Sequence, residues 1–194
     1  MTTASERPGS RPSADEAGFR QWVAARAPSL RRKAYLLCGD WDAADDLVQE
    51  ALIAVYKSWP RVARGSNVDA YANRVLVHKF IDDTRRPWRR VSVRADVPER
   101  DDPSAARDLE RIEGQDAPLN KALANLPAQQ RAVLVLRYTD DLTVDEIARA
   151  MDLPSGTVKS RLSRGVEALR AQLDEAHSDQ PPASHSGTTM EAKP

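Results

Sequence analysis

Residues Leu142 to Leu173 read LTVDEIARAMDLPSGTVKSRLSRGVEALRAQL, the clearest local signal in the chain. Thr143 followed three residues later by Glu146 is a capping box, in which hydroxyl and carboxylate each satisfy a backbone N–H left unpaired at a helix start. A short helix over Val144 to Met151 follows, exposing Asp145 and Arg149 and burying Ile147, Ala148 and Met151. Asp152, Leu153, Pro154 and Ser155 form a turn, with Ser155 as the next N-cap and Gly156 permitting close backbone approach. A second helix from Gly156 to about Leu173 places Val158, Leu162, Val166, Leu169 and Leu173 at helical steps, which marks its buried side.

Two helices joined this way form a helix-turn-helix. Thr157, Lys159, Ser160, Ser163 and Arg164 remain outward near the start of the second helix. They are donors suited to phosphates and to base edges in a major groove, which admits an α-helix. Arg131 and Arg137 lie on the preceding helix, and Arg137 is close enough in sequence to flank the same groove. The bland alternative is a solvated basic face in a helical bundle. The capped short helix, the Pro-Gly turn and the polar first half of the long helix coincide, and together they favour DNA.

Upstream, three blocks carry helical periodicity. Phe19, Trp22, Val23, Leu30, Ala34 and Leu37 mark the first, which Pro28 interrupts or restarts and Gly39-Asp40 ends. Val48, Leu52, Val55 and Trp59 form a single stripe after Asp42, stopped by Pro60. From Asp69 to Arg86, Tyr71, Ala72, Val75, Leu76 and Phe80 lie on one side and Asn73, Arg74, His78 and Arg85 on the other, before Pro87. Three such helices can bury one another, giving a first domain over Phe19 to Arg90. Its polar row could hold a single nucleic-acid strand, Arg meeting the backbone and His78 an unstacked base; an ordinary solvated face is the alternative.

A chain of 194 residues with 41% hydrophobic and 30% charged residues can bury one ordinary core or two small ones. Ala, Leu, Arg, Asp and Glu dominate and aromatics are 5%, which favours an all-α fold. No segment approaches the roughly 20 apolar residues of a membrane span, and Met1 to Arg20 lacks a signal-peptide core, so a cytoplasmic protein without membrane insertion is expected. One cysteine, Cys38, and three histidines form no usual zinc cluster; Cys38 reads as a buried small hydrophobe, with a redox sensor as the lesser alternative. No metal or cofactor is expected.

Net charge is zero, against the usual basic excess of a nucleic-acid binder. The distribution changes that. Acids outnumber bases between Val91 and Pro118, just after the basic run Arg85, Arg86, Arg89 and Arg90. The chain therefore divides into a disordered start (1–16), a first helical domain (17–90), a flexible acidic linker (91–118), a second helical module (119–175) and a disordered tail (176–194).

Two separated motifs resemble one family. Leu126-Pro127, Arg131 to Arg137, Leu142 to Ala148 and Gly156 to Leu162 look like region 4 of the extracytoplasmic-function sigma factors. Asp46-Leu47-Val48-Gln49-Glu50-Ala51 looks like the signature of their region 2, and Asp82 with Arg85-Arg86 like its end. Tyr35 to Asp40 is similar to a branch common in actinobacteria. The resemblance implies a three- or four-helix region 2 bundle that binds the polymerase β′ clamp helices and reads the minus-10 element. It implies a region 4 helix-turn-helix that binds the β flap and reads the minus-35 element. Carried over by position, Asp46, Gln49 and Glu50 would face polymerase. Arg137, Gly156, Thr157, Lys159, Ser160, Ser163 and Arg164 would face the minus-35 element. Where many relatives have Asn, this chain has His78. Many relatives are held inactive by an anti-sigma factor, and no stretch here identifies one.

Two rivals compete. A stand-alone helix-turn-helix regulator would use the same recognition helix but leave Asp46 to Ala51 without a purpose. A metal enzyme would draw on Asp45, Asp46, Glu50, His78 and Asp82. Asp45 and Asp46 diverge by about 100° around a helix, and the chain lacks the paired Glu-x-x-His of di-metal bundles.

Overall fold

A computed structural model describes residues 14–65, 67–85 and 117–178, and every regular element among them is a helix. The first, α1 (Ala14–Cys38), begins inside the stretch expected to be disordered, with Asp15 and Glu16 in its first turn, where carboxylates complement the helix dipole. Pro28 neither interrupts nor restarts it. The proline removes one backbone bond, but buried Leu30, Ala34, Tyr35 and Leu37 beyond it hold the helix onto its neighbours. Gly39, at φ 75°, ends α1 by donating its N–H to the Tyr35 carbonyl at 2.7 Å, a left-handed conformation that glycine adopts freely.

Asp40 caps α2 (Trp41–Val62), accepting from the Ala43 N–H at 2.8 Å, so the helix starts before the expected Asp42. It also runs past Pro60, which lies in the last turn and disturbs little. Asn67 caps α3 (Val68–Thr84) in the same way, through the Ala70 N–H. Phe19, Trp22, Tyr56 and Trp59 join α1 to α2, with Phe19 edge-on to Trp59 at 5.3 Å. Tyr35 stacks on Trp41 at 4.0 Å.

Four helices follow: α4 (Ala117–Ala124), α5 (Ala128–Thr139), α6 (Val144–Met151) and α7 (Ser155–Ser178). Residues 117 and 118, expected in the linker, open α4, and α7 extends into the expected tail. Residues 86–116, which hold most of the acidic linker and the rest of the basic run, lie outside the described residues, as do 1–13 and 179–194. Helix α7 crosses α5 closely because Gly165 has no side chain: a Cβ there would stand 3.0 Å from Leu134 Cδ1.

Of the two core arrangements the composition allows, the fold has one principal core. A single cluster runs from Leu30, Leu37, Leu47, Val55, Leu76 and Phe80 in the first three helices to Val133, Leu136, Ile147, Met151 and Val158 in the last four. A smaller cluster of Leu123, Leu126 and Leu134 sits under Leu162, Val166 and Leu169 of α7. Each fully buried Val, Leu or Ile contributes roughly 1.5–3 kcal/mol, so the contact between the halves is part of the fold's cohesion. Cys38 is only partly buried, at the edge of the principal core.

Candidate nucleic-acid interface

The helix-turn-helix forms where the spacing predicted it. Thr143 stands in extended backbone and its N–H donates to Glu146 Oε2 at 2.8 Å, while the Glu146 N–H donates back to Thr143 Oγ1 at 3.3 Å. The Thr143 backbone N–H, and then its hydroxyl, hold the Glu146 carboxyl below its ordinary 4.5 by binding the charged form. Ile147, Ala148 and Met151 are buried as expected, together with Ala150. The helix stops at Asp152, left-handed at φ 52°, and the Leu153 N–H closes on the Ala148 carbonyl at 3.0 Å.

One residue of the turn takes another role than expected. The Thr157 and Val158 N–H groups both donate to the Pro154 carbonyl, so Pro154 holds the N-cap position of α7. Ser155 opens the helix, and its hydroxyl donates to Asp145 Oδ1 at 2.7 Å, tying the start of α7 back to α6. Val158 is fully buried and anchors this end, whereas Leu162, Val166, Leu169 and Leu173 are only partly buried. On the outer face Gly156, Lys159, Ser160, Ser163 and Arg164 are exposed and Thr157 is half-buried. Neither Lys159 nor Arg164 enters an ion pair among the described residues. Nothing lies within 4 Å of a Cβ placed on Gly156, so the backbone there is open to approach.

The flanking arginines are committed to the fold. Arg137 donates to the Leu142 carbonyl at 2.8 Å and so pins the loop leading into α6. Arg131 turns toward α1. At the end of α5 the structure adds a residue that the sequence reading passed over, Tyr138, 69% exposed.

The polar row of α3 is not a free surface. Asn73, expected to point outward, is 6% exposed: its Oδ1 accepts from Lys33 Nζ at 2.5 Å and its Nδ2 donates to Asp140 Oδ2 at 2.9 Å. Lys33 also pairs directly with Asp140 at 2.5 Å. Burial pushes the Lys33 ammonium below its ordinary 10.5, and the Asp140 carboxylate recovers only part of that. Arg74 makes a two-pronged pair with Asp152, at 2.9 and 2.6 Å, and also donates to the Arg149 carbonyl. His78 Nε2 is 3.5 Å from the same Asp152. These contacts arise because α3 packs against α5 and α6, an approach no local pattern announces. Arg85 stays exposed at the end of α3.

On α2, Asp46 and Gln49 are exposed, while Glu50 takes Lys79 at 2.6 Å. Ile53 and Tyr56 continue the Asp46–Gln49 face at helical steps and are 54% and 52% exposed. The residues of the metal rival are dispersed: Asp45 grips Arg31, and among the described residues no three metal-ligating side chains gather. Nor is any described helix long and apolar enough to cross a membrane.

Sigma-70 region 2 matches residues 22–90, and sigma-70 region 4 matches residues 117–169. The chain belongs to the sigma-70 family.

It is an RNA polymerase sigma factor, an initiation factor in a family that is not enzymatic. The RNA polymerase sigma-E factor of Streptomyces avermitilis is 35% identical over 157 residues, covering 80% of this sigma factor and 85% of that one. The ECF RNA polymerase sigma factor EcfG of Rhodopseudomonas palustris is 35% identical over 160 residues, 80% and 84% of the two chains. Among solved structures, the sigma factor RpoE of Bartonella quintana, in complex with the anti-sigma factor NepR, matches with a TM-score of 0.59 and 27% identity. That match covers 81% of this chain and 97% of the other. CnrH, in complex with the cytosolic domain of CnrY, shares the fold at 22% identity and a TM-score of 0.57, over 87% of this sigma factor and 94% of CnrH. In this sigma factor the region 2 match spans most of α1 and all of α2 and α3, and the region 4 match runs from α4 into α7. Lys33, Asp140 and Asp152, which join the two regions, carried no signal beyond their charge. Ile53 and Tyr56 had one: they are apolar residues lying outside the buried stripe of α2.

Proposed function

We infer that promoter recognition is divided between two faces, with a third for polymerase. The outer face of α7 reads the minus-35 element through Lys159, Ser160, Ser163 and Arg164, with Gly156 and Thr157 at its approach. The observation that carries this reading is that two cations, in no ion pair among the described residues, stand on the exposed start of a helix whose turn is locked by the Thr143–Glu146 box and the Ser155–Asp145 bond. Such a helix enters a major groove with its cations turned outward to guanine edges and phosphates. Arg137 acts in this assignment by holding the loop before α6.

The α3 row of Asn73, Arg74 and His78, with Arg85 beyond it, meets the minus-10 strand once region 4 has moved off it. Asp46 and Gln49 with Ile53 and Tyr56 form the polymerase-binding face, exposed apolar area rimmed by polar groups being what a protein partner covers. Glu50 sits at its edge, shared with Lys79. The relatives named as RNA polymerase sigma factors support this assignment. A factor working on polymerase and promoter acts in the cytoplasm, where the two meet.

Run-off transcription with core polymerase tests the division. Asp46→Lys with Tyr56→Ala is expected to weaken holoenzyme assembly, and normal assembly would remove α2 from the interface. A stand-alone regulator would instead bind its DNA with full specificity without polymerase.

A further inference from the structure

Two of the four α3 residues read as strand-binding, Asn73 and Arg74, are hydrogen-bonded in this structure by groups of the last four helices, and a third, His78, lies 3.5 Å from one of the same carboxylates. Asp140, at the end of α5, takes Lys33 and Asn73. Asp152, at the end of α6, takes Arg74 with both oxygens and lies against His78. A carboxylate gripping a guanidinium through two parallel hydrogen bonds presents the same oxygen geometry and charge as a phosphate. We propose that Asp140 and Asp152 form an autoinhibitory clasp that occupies the phosphate-binding positions of α3, so that the closed sigma factor does not take a single strand until region 4 swings away.

Charge across the cleft between the halves supports this. The cleft, about 830 Å3, is lined from the first three helices by Arg26, Lys33 and Arg74 and from the last four by Asp140, Asp141 and Glu146, with Asp69 and Arg149 as the exceptions. The two parts of the clasp differ in strength. The Arg74–Asp152 pair is 44% and 56% exposed, and such pairs contribute little in water, so phosphate can replace the carboxylate. Lys33 and Asn73 are buried and share the partly buried Asp140, which fixes the register of closure rather than its strength. Asp152 also has the conformation its place requires: its left-handed backbone ends α6 and turns the carboxylate toward α3, a backbone region Asp tolerates better than most residues.

The proposal rests on the reading of α3 as the strand-binding face, and the test separates the two. Asp152→Asn keeps length and backbone tolerance while removing the charge; Asp152→Gly, equally at home in the left-handed region, is the second variant should the first fold poorly. With folding checked by circular dichroism, a fluorescein-labelled single-stranded oligonucleotide is titrated with the full chain. The expected result is a gain in affinity of about five-fold or more over the parent chain, abolished when Arg74→Ala is added. Unchanged affinity in a folded Asp152 variant overturns the clasp. In parallel, the Arg74→Ala/His78→Ala holoenzyme is assayed for promoter opening. Normal opening removes α3 from strand binding and takes the clasp with it. Impaired opening beside an unchanged Asp152 variant leaves α3 in place and overturns the clasp alone.

Discussion

Arg131 of α5 donates through Nη1 to the carbonyl of Leu37, 2.5 Å away and 94 positions earlier, so a region 4 side chain closes the last turn of the first helix of region 2. Its other amino group reaches the Ala124 and Leu126 carbonyls, and the guanidinium lies over the Phe80 ring at 5.6 Å. One cation thus satisfies helix-end carbonyls on both sides of the interface.

Arg131→Met is therefore expected to destabilise the chain by about 2–3 kcal/mol, the range for losing charged hydrogen bonds to partly buried carbonyls. Urea unfolding followed by circular dichroism measures it. A change under half a kcal/mol would show that these carbonyls find other partners.

Lys33→Met should cost more, because it leaves Asp140 facing the interior without its cation. Breaking one partner of a buried pair costs about 3–5 kcal/mol. The Lys33→Met/Asp140→Leu double variant should recover most of that loss, since two buried charges are replaced by apolar groups. Thermal unfolding of the two variants side by side distinguishes a costly orphan from a simple loss of packing.

Replacing Lys159 and Arg164 by Ala should abolish minus-35-dependent initiation while leaving the complex with polymerase intact. Each lost base or phosphate contact removes about 1–3 kcal/mol, and each lost phosphate contact reduces the salt dependence of promoter occupancy by about one charge. Occupancy measured from low to moderate salt checks both. An unaltered slope would place the two cations away from the backbone.

Acid should loosen the start of α6. The Glu146 carboxyl is held below 4.5 in the fold, so its capping contribution is complete above that value and is lost as pH falls through the lowered one. Protection of the Glu146 and Ile147 amides, measured against their intrinsic exchange at each pH, should fall over that window, and Glu146→Ala should abolish this fall while leaving protection low throughout.

Much of this was legible in the residues. The capping box, the Asp152–Ser155 turn and the buried set Ile147, Ala148 and Met151 all came from contacts within a few positions, where spacing dictates geometry. Asp40 and Asn67 sit at helix starts because Asx side chains reach a backbone N–H three residues on. The errors share one cause. Pro28 and Pro60 read as breaks in the sequence because their local penalty is real, yet tertiary packing outweighs a single lost backbone bond. Asn73 reads as outward because polar residues on an amphipathic helix usually are; nothing in α3 itself reveals that another helix pair covers that side.

The sequence by itself determined an all-helical chain, the core of the three upstream helices, the helix-turn-helix and, through two separated motifs, the family; it did not mark the helix over Ala117–Ala124 or the unbroken run of α1 through Pro28. What it did determine rests on interactions whose partners lie within a turn or two of each other. Only the tertiary structure decided that the two halves share one core, that Asp140 and Asp152 face Lys33, Asn73, Arg74 and His78, and that Arg131 closes α1. Those pairings span tens of residues, and their energy depends on burial and on the approach of surfaces. Neither is written in the periodicity of any one helix.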